Sequence, residues 1–148
     1  VHLAVFDGRQ AVVIHRADAQ GSPAAFIEAS PAHCTSVGKA ILAWQPEGVV
    51  ARLGELARYT EATITDPAKL AANLAEARAR GFAVDEGEHQ PGLRCVGAPI
   101  RDSLGRVFAA ISVSAPFREL PPGRVPQAAK LVRHAADSIS RRLGWRDQ

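Results

Sequence analysis

The chain has 148 residues, 47% of them hydrophobic and spread along its length, which predicts one globular domain rather than a disordered segment. Its 18 Lys and Arg against 15 Asp and Glu leave a net charge of +3. No basic run forms and no aromatics interleave, which speaks against a nucleic-acid-binding surface. No apolar stretch approaches the roughly 20 residues of a membrane span, and the separated Cys34 and Cys95 predict free thiols in a reducing, cytoplasmic setting.

Residues 1–5 alternate as a strand, Asp7-Gly8 is a hairpin signal, and residues 11–15 return as a second strand. The start directly in a strand, with no Met anywhere, predicts a fragment of a longer protein. Residues 18–31 read as irregular, broken by Gly21, Pro23 and Pro31. A helix is expected over residues 37–44 and a short amphipathic one over 47–56. Asp66-Pro67 is a helix start with an Asp cap and Pro in the first turn, and that helix should run to Arg80 with Gly81 as its stop. Leu70, Leu74 and Ala77 give it a buried stripe. Residues 82–85 form a third strand, and a last helix spans residues 122–143. Its stripe of Val125, Ala129, Val132, Ala136, Ile139 and Leu143 should pack on the sheet or on a partner.

Between these lies a second hairpin, residues 92–100 and 106–116, closed by the turn Asp102-Ser103-Leu104-Gly105. Pairing Arg101 with Arg106 places Cys95 opposite Ser112, Leu93 opposite Ser114 and Gly97 opposite Ala110. Alternation then gives one face to Cys95, Gly97, Ala110, Ser112 and Ser114, and the other to Val96, Ala98, Ile100, Val107, Ala109, Ile111 and Val113. The aliphatic face is core. The small, lightly polar face either admits a close-packed helix or leaves room for a ligand. The element order with hairpin connections predicts an α+β fold with a central antiparallel sheet flanked by helices.

Two further stretches carry polar groups. In His33-Cys34-Thr35-Ser36-Val37-Gly38-Lys39-Ala40 the hydroxyls of Thr35 or Ser36 can cap a helix whose first free N–H groups suit a carboxylate. The plainer reading is a capped helix start with Lys39 facing solvent. The Gly-rich run of a phosphate loop is missing. In Asp85-Glu86-Gly87-Glu88-His89 two carboxylates and an imidazole resemble acid/base equipment, although loop carboxylates are mostly solvated. Asp85 differs, since it sits in the strand and can point inward.

The order His33-x-Thr35-x-x-Gly38-Lys39-Ala40-x-Leu42, Gly81-Phe82-Ala83-Val84-Asp85-x-x-Glu88, Gly92-Leu93-Arg94-Cys95-x-x-Ala98-Pro99 and Ser112-Val113-Ser114 resembles the effector-binding domain of IclR-type transcription regulators. The likeness covers residues 1–148. It implies a GAF-like fold with a small-molecule pocket and no cofactor, and a separate winged helix-turn-helix domain preceding this one that carries DNA binding. It also implies a homodimer or homotetramer and, as effector, a small keto, dicarboxylic or aromatic acid. Carried over residue by residue, the ligand-binding groups are the N–H of Ser36 and Val37 and the side chains of Asp85, Cys95, Ser112 and Ser114. Gly97 stands where the family often has Ala, which should enlarge the space behind Cys95 and favour a larger, aromatic acid. The rival readings are a nucleotide-sensing GAF-like domain, and an enzyme with Cys95 as nucleophile and His89 or His33 as base. A zinc site at His33, Cys34, Cys95 or His89 has no paired-ligand spacing to support it.

Overall fold

In a computed structural model, which describes residues 1–21 and 23–147, the chain forms one six-stranded sheet in the order β3-β2-β1-β6-β5-β4. The strands are β1 (His2–Phe6), β2 (Ala11–Ala17), β3 (Pro23–Ser30), β4 (Ala83–Glu86), β5 (Leu93–Arg101) and β6 (Val107–Pro116). Every pairing is antiparallel. The helices are α1 (Ser36–Leu42), α2 (Glu47–Ala51), α3 (Pro67–Arg80) and α4 (Val125–Arg142), the last entered through a 3-10 turn at Pro122–Arg124. This is the α+β sheet expected from the sequence, with one strand more.

That extra strand is β3, where an irregular segment was expected. Pro23 opens it, and β3 pairs only with β2, at the sheet edge. A strand on the edge tolerates Pro at its first residue, because no partner needs the missing N–H. The Pro punctuation therefore marks where the strand begins rather than excluding it.

Local signals elsewhere do what their chemistry dictates. Asp66 Oδ1 accepts from the Ala68 N–H at 2.9 Å, and Gly81 closes α3 at φ +88° in the left-handed region. Leu70, Leu74 and Ala77 are the buried stripe of that helix. In the β5–β6 turn, Asp102 Oδ1 accepts from the N–H groups of Leu104 and Arg106 at 2.9 and 3.0 Å.

The two faces of the sheet are covered by different helices. On one, Val132 and Ala136 of α4 pack against Ala98 and Ile100 of β5 and Ala109 of β6. On the other, Val37, Ala40 and Ile41 of α1 pack with Ala4, Val13 and Ala110, and Leu70 and Leu74 of α3 close the layer behind α1. Leu143, expected in the buried stripe of α4, is half exposed; Ser140 takes the inward position instead. Its Oγ donates to Ala136 O at 2.8 Å and accepts from the Arg101 N–H at 2.9 Å.

The β5–β6 register corrects the sequence reading. Cys95 lies opposite Ser114, Gly97 opposite Ser112, Leu93 opposite Pro116, and Arg101 opposite Val107 with an irregularity between Ile100 and Arg101. The hairpin is shifted by two residues from the expected pairing. A slip of two preserves which face each side chain occupies, whereas a slip of one would have inverted it. Ser112, Ser114 and Cys95 thus stay on one face, but Val107 does not stay with Ala109. Phe108 is the extra residue of the bulge, and Val107 joins the cluster on the α1 side.

Candidate functional site

The site is built on two neighbouring rungs of the sheet. Asp85, Cys95 and Ser114 lie side by side across β4, β5 and β6. One rung further along, Ala83, Gly97, Ser112 and His2 lie across β4, β5, β6 and β1. Over the second rung sits the start of α1. A Cβ added at Gly97 would come 2.7 Å from the Ser36 carbonyl oxygen, so the missing side chain is what lets the helix backbone rest on the sheet. The expectation that Gly97 widens the space behind Cys95 is therefore corrected: the space is filled by α1, and the argument for a larger aromatic ligand falls with it.

The helix start is held from both directions. Thr35 Oγ1 accepts from the Gly38 N–H at 3.2 Å and donates to Pro31 O at 2.7 Å. Gly38 is equally constrained, since a Cβ there would overlap the Ala32 backbone. The first intrahelical bond runs from the Lys39 N–H to Thr35 O at 2.9 Å, so the N–H groups of Ser36 and Val37 precede the ladder.

Together these elements border a cavity of about 120 Å³ that opens to solvent. All six residues singled out in the sequence line it: Ser36, Val37, Asp85, Cys95, Ser112 and Ser114. Three separate stretches of chain meet there. His2, Glu28, Ser30, His89 and Gln90 also border it. Glu28 and Ser30 were invisible beforehand because β3 itself was, and His2 because only the β1–β6 pairing brings it in. Among the described residues the lining contains no Lys or Arg.

Asp85 is the charged group at the centre. It is 3% exposed, and its Oδ1 accepts from the Glu88 N–H at 2.6 Å. Burial pushes its carboxyl up to about 7 and the neighbouring Glu88 adds to this, against the pull of the Glu88 N–H, the Lys39 ammonium and the Cys95 thiol. Burial likewise pushes the Cys95 thiol up to about 12, with the Asp85 charge reinforcing it and Ser114 opposing. Such a thiol is protonated at neutral pH and a poor nucleophile. The His33 Nε2 pairs with Ala57 O at 2.8 Å, and His89 packs edge-on against Tyr59. Cys34 is buried, its thiol pushed up to about 12 by burial and then by Asp85 and Glu88. No three His, Cys, Asp or Glu side chains converge as metal ligands among the described residues.

Lys39 departs most from expectation. Instead of facing solvent it is fully buried, its Nζ 2.9 Å from both carboxylate oxygens of Glu88 and 3.0 Å from Asn73 Oδ1. Glu88 is buried with it, whereas Glu86 turns outward to Arg94 at 2.7 Å.

A small cavity with hydrogen-bonding walls is what a ligand-binding domain presents. Residues 1–141 match the family described as bacterial transcriptional regulator IclR C-terminal, and the chain belongs to that family as its effector-binding domain. It is 37% identical over 155 aligned positions to the HTH-type transcriptional repressor AllR of Klebsiella pneumoniae, covering all of this chain and 57% of that protein. Over 145 positions it is 36% identical to the regulator BhcR of Paracoccus denitrificans, covering 94% of this chain and 52% of that one. The chain thus spans little more than half the length of these relatives. Among solved structures, the Thermotoga maritima IclR superposes with a TM-score of 0.89 at 33% identity, over 97% of this chain and 61% of that one.

Proposed function

We propose that the cavity is the effector site and that its ligand is a small carboxylic acid. The N–H groups of Ser36 and Val37 and the hydroxyls of Ser112 and Ser114 donate to the carboxylate, while Asp85 accepts a hydrogen bond from the far end of the ligand and Cys95 lines the wall. The observation that carries this reading is the convergence of the six residues, from three separate stretches, on one cavity. A cavity of roughly 150 Å³ holds a benzene-sized molecule. The smaller volume here therefore favours keto or hydroxy acids of a few heavy atoms over aromatic acids and nucleotides. With no Lys or Arg in the lining among the described residues, recognition rests on N–H and O–H donors, each such bond to a charged group contributing roughly 1.5–3 kcal/mol.

In the full-length protein this domain, residues 1–148, reports occupancy to a separate winged helix-turn-helix domain. Binding shifts the arrangement of subunits in a homodimer or homotetramer, because the effector favours one arrangement over the other. The DNA contacts belong to that other domain, in keeping with the mixed charge of this one, and the setting is cytoplasmic.

A thermal-shift panel of keto, dicarboxylic and aromatic acids, with nucleotides included, tests the reading. An acid at about 100 times its Kd should add roughly 2.7 kcal/mol of stability, a shift of several degrees. The double variant S112A/S114A should keep its fold and lose that shift. A nucleotide hit without an acid hit, or an undiminished shift in the double variant, would overturn the assignment.

A further inference from the structure

Buried ion pairs are poor sources of stability. Replacing one by apolar side chains of similar volume is often neutral or favourable, because desolvation offsets the attraction. The Lys39–Glu88 pair is nevertheless buried, and its bonds run into the cavity wall. All three donors of the Lys39 ammonium are spent, two on Glu88 and one on Asn73 of α3. Glu88 is bound through nearly every polar atom it has. Its Oε2 also accepts from the Glu86 N–H at 2.9 Å, its carbonyl accepts from Thr63 Oγ1 at 2.6 Å, and its N–H is the donor to Asp85. Lys39 itself lies one turn after Ser36. The pair therefore ties the helix that presents the N–H groups to the loop that presents Asp85.

We propose that Lys39 and Glu88 are positioning residues of the effector site, an ion pair that holds Asp85 against Cys95 and whose opposite charges offset one another beside the cavity. This rests on the reading of the cavity as the effector site, but neither residue lines it. The groups facing Asp85 are Cys95 from β5, Glu88 and His89 from the loop, Lys39 from α1 and Cys34 from the turn before it. At the cavity edges His2 of β1 and Glu28 of β3 complete the set. Within that set Lys39 is the one permanent cation, and Glu88 is its carboxylate partner. The high Cys95 thiol, raised by the charges of both Asp85 and Glu88 after burial, reports on that balance.

Alkylation of Cys95 by iodoacetamide at pH 8, followed on its peptide by mass spectrometry, reads this balance without any effector. At that pH Asp85 is already largely ionised. E88Q keeps the hydrogen-bonding shape but leaves the Lys39 ammonium without its carboxylate, so the thiolate is favoured and the rate should rise at least fivefold. A tenfold rise corresponds to one unit in the thiol pKa. The double variant K39M/E88Q removes the cation too and should return to within about twofold of the wild-type rate. Loosening of the loop would instead leave the double variant as fast as E88Q. That result, or an E88Q rate within twofold of wild type, overturns the proposal. Should K39M/E88Q fail to keep its thermal midpoint, K39Q/E88Q makes the same comparison with an amide in place of the ammonium. Because no ligand enters the measurement, failure here leaves the acid panel free to stand or fall by itself.

Discussion

The two faces of the sheet solve opposite packing problems. On the α4 face, branched and small aliphatic side chains such as Ile100, Val132 and Ala136 interlock, and the one polar intruder, Ser140, has both its donor and its acceptor capacity used. On the α1 face the contact at β5 is backbone on backbone, Gly97 under Ser36, and Gly38 of α1 lies as closely against Ala32 in the loop before the helix. Side chains fill the first interface, while their absence permits the second. The difference teaches where a ligand can sit. A helix laid directly on glycine leaves its first N–H groups and the flanking hydroxyls of Ser112 and Ser114 around a cavity.

The contrast can be broken from either side. Ile100→Ala, 2% exposed in the natural protein, should cost about 2–5 kcal/mol in urea unfolding while leaving acid binding to the residual folded protein unchanged. Gly97→Ala should do less to stability, about 1–3 kcal/mol, yet abolish the thermal shift given by the effector. A methyl there must lift the start of α1 off β5. If Gly97→Ala bound the acid normally, the close approach would not be what shapes the site.

Most of this arrangement was legible in advance, for a physical reason. Sheet faces alternate with a period of two, so Cys95, Ser112 and Ser114 were grouped correctly even though their register was off by two. Asp66, Pro67 and Gly81 act within a turn of themselves, and local chemistry was enough to place α3. What escaped was non-local. The bulge at Phe108 turns Val107 to the other face, and an edge strand opening on Pro looks like a loop until β2 is beside it. Lys39 looked solvated because its partners lie 34 and 49 positions away, at Asn73 and Glu88. Gly97 was noticed but misread. Without the helix above it, a missing side chain looks like free volume.

Asp85 sharpens the comparison further, because its carboxyl is the polar group the α1 face pays most to bury. Its value near 7 in the fold lies well above that of an unfolded carboxyl, about 4, so between these the native state holds a proton that the unfolded chain has released. Stability contributed by this group is therefore fully present below about pH 4 and is lost as pH rises towards 7, at most about 1.4 kcal/mol per pH unit. His2 and His89, both lowered by burial, work the other way below their ordinary value, since their unfolded forms bind the extra proton. The difference between wild type and D85N cancels the histidines and isolates the carboxyl. Urea unfolding of both proteins from pH 4 to 8 should show D85N gaining on the wild type across that window and holding a constant offset above pH 7. A constant offset throughout would mean that Asp85 is ionised from the start, as a solvated loop carboxylate would be.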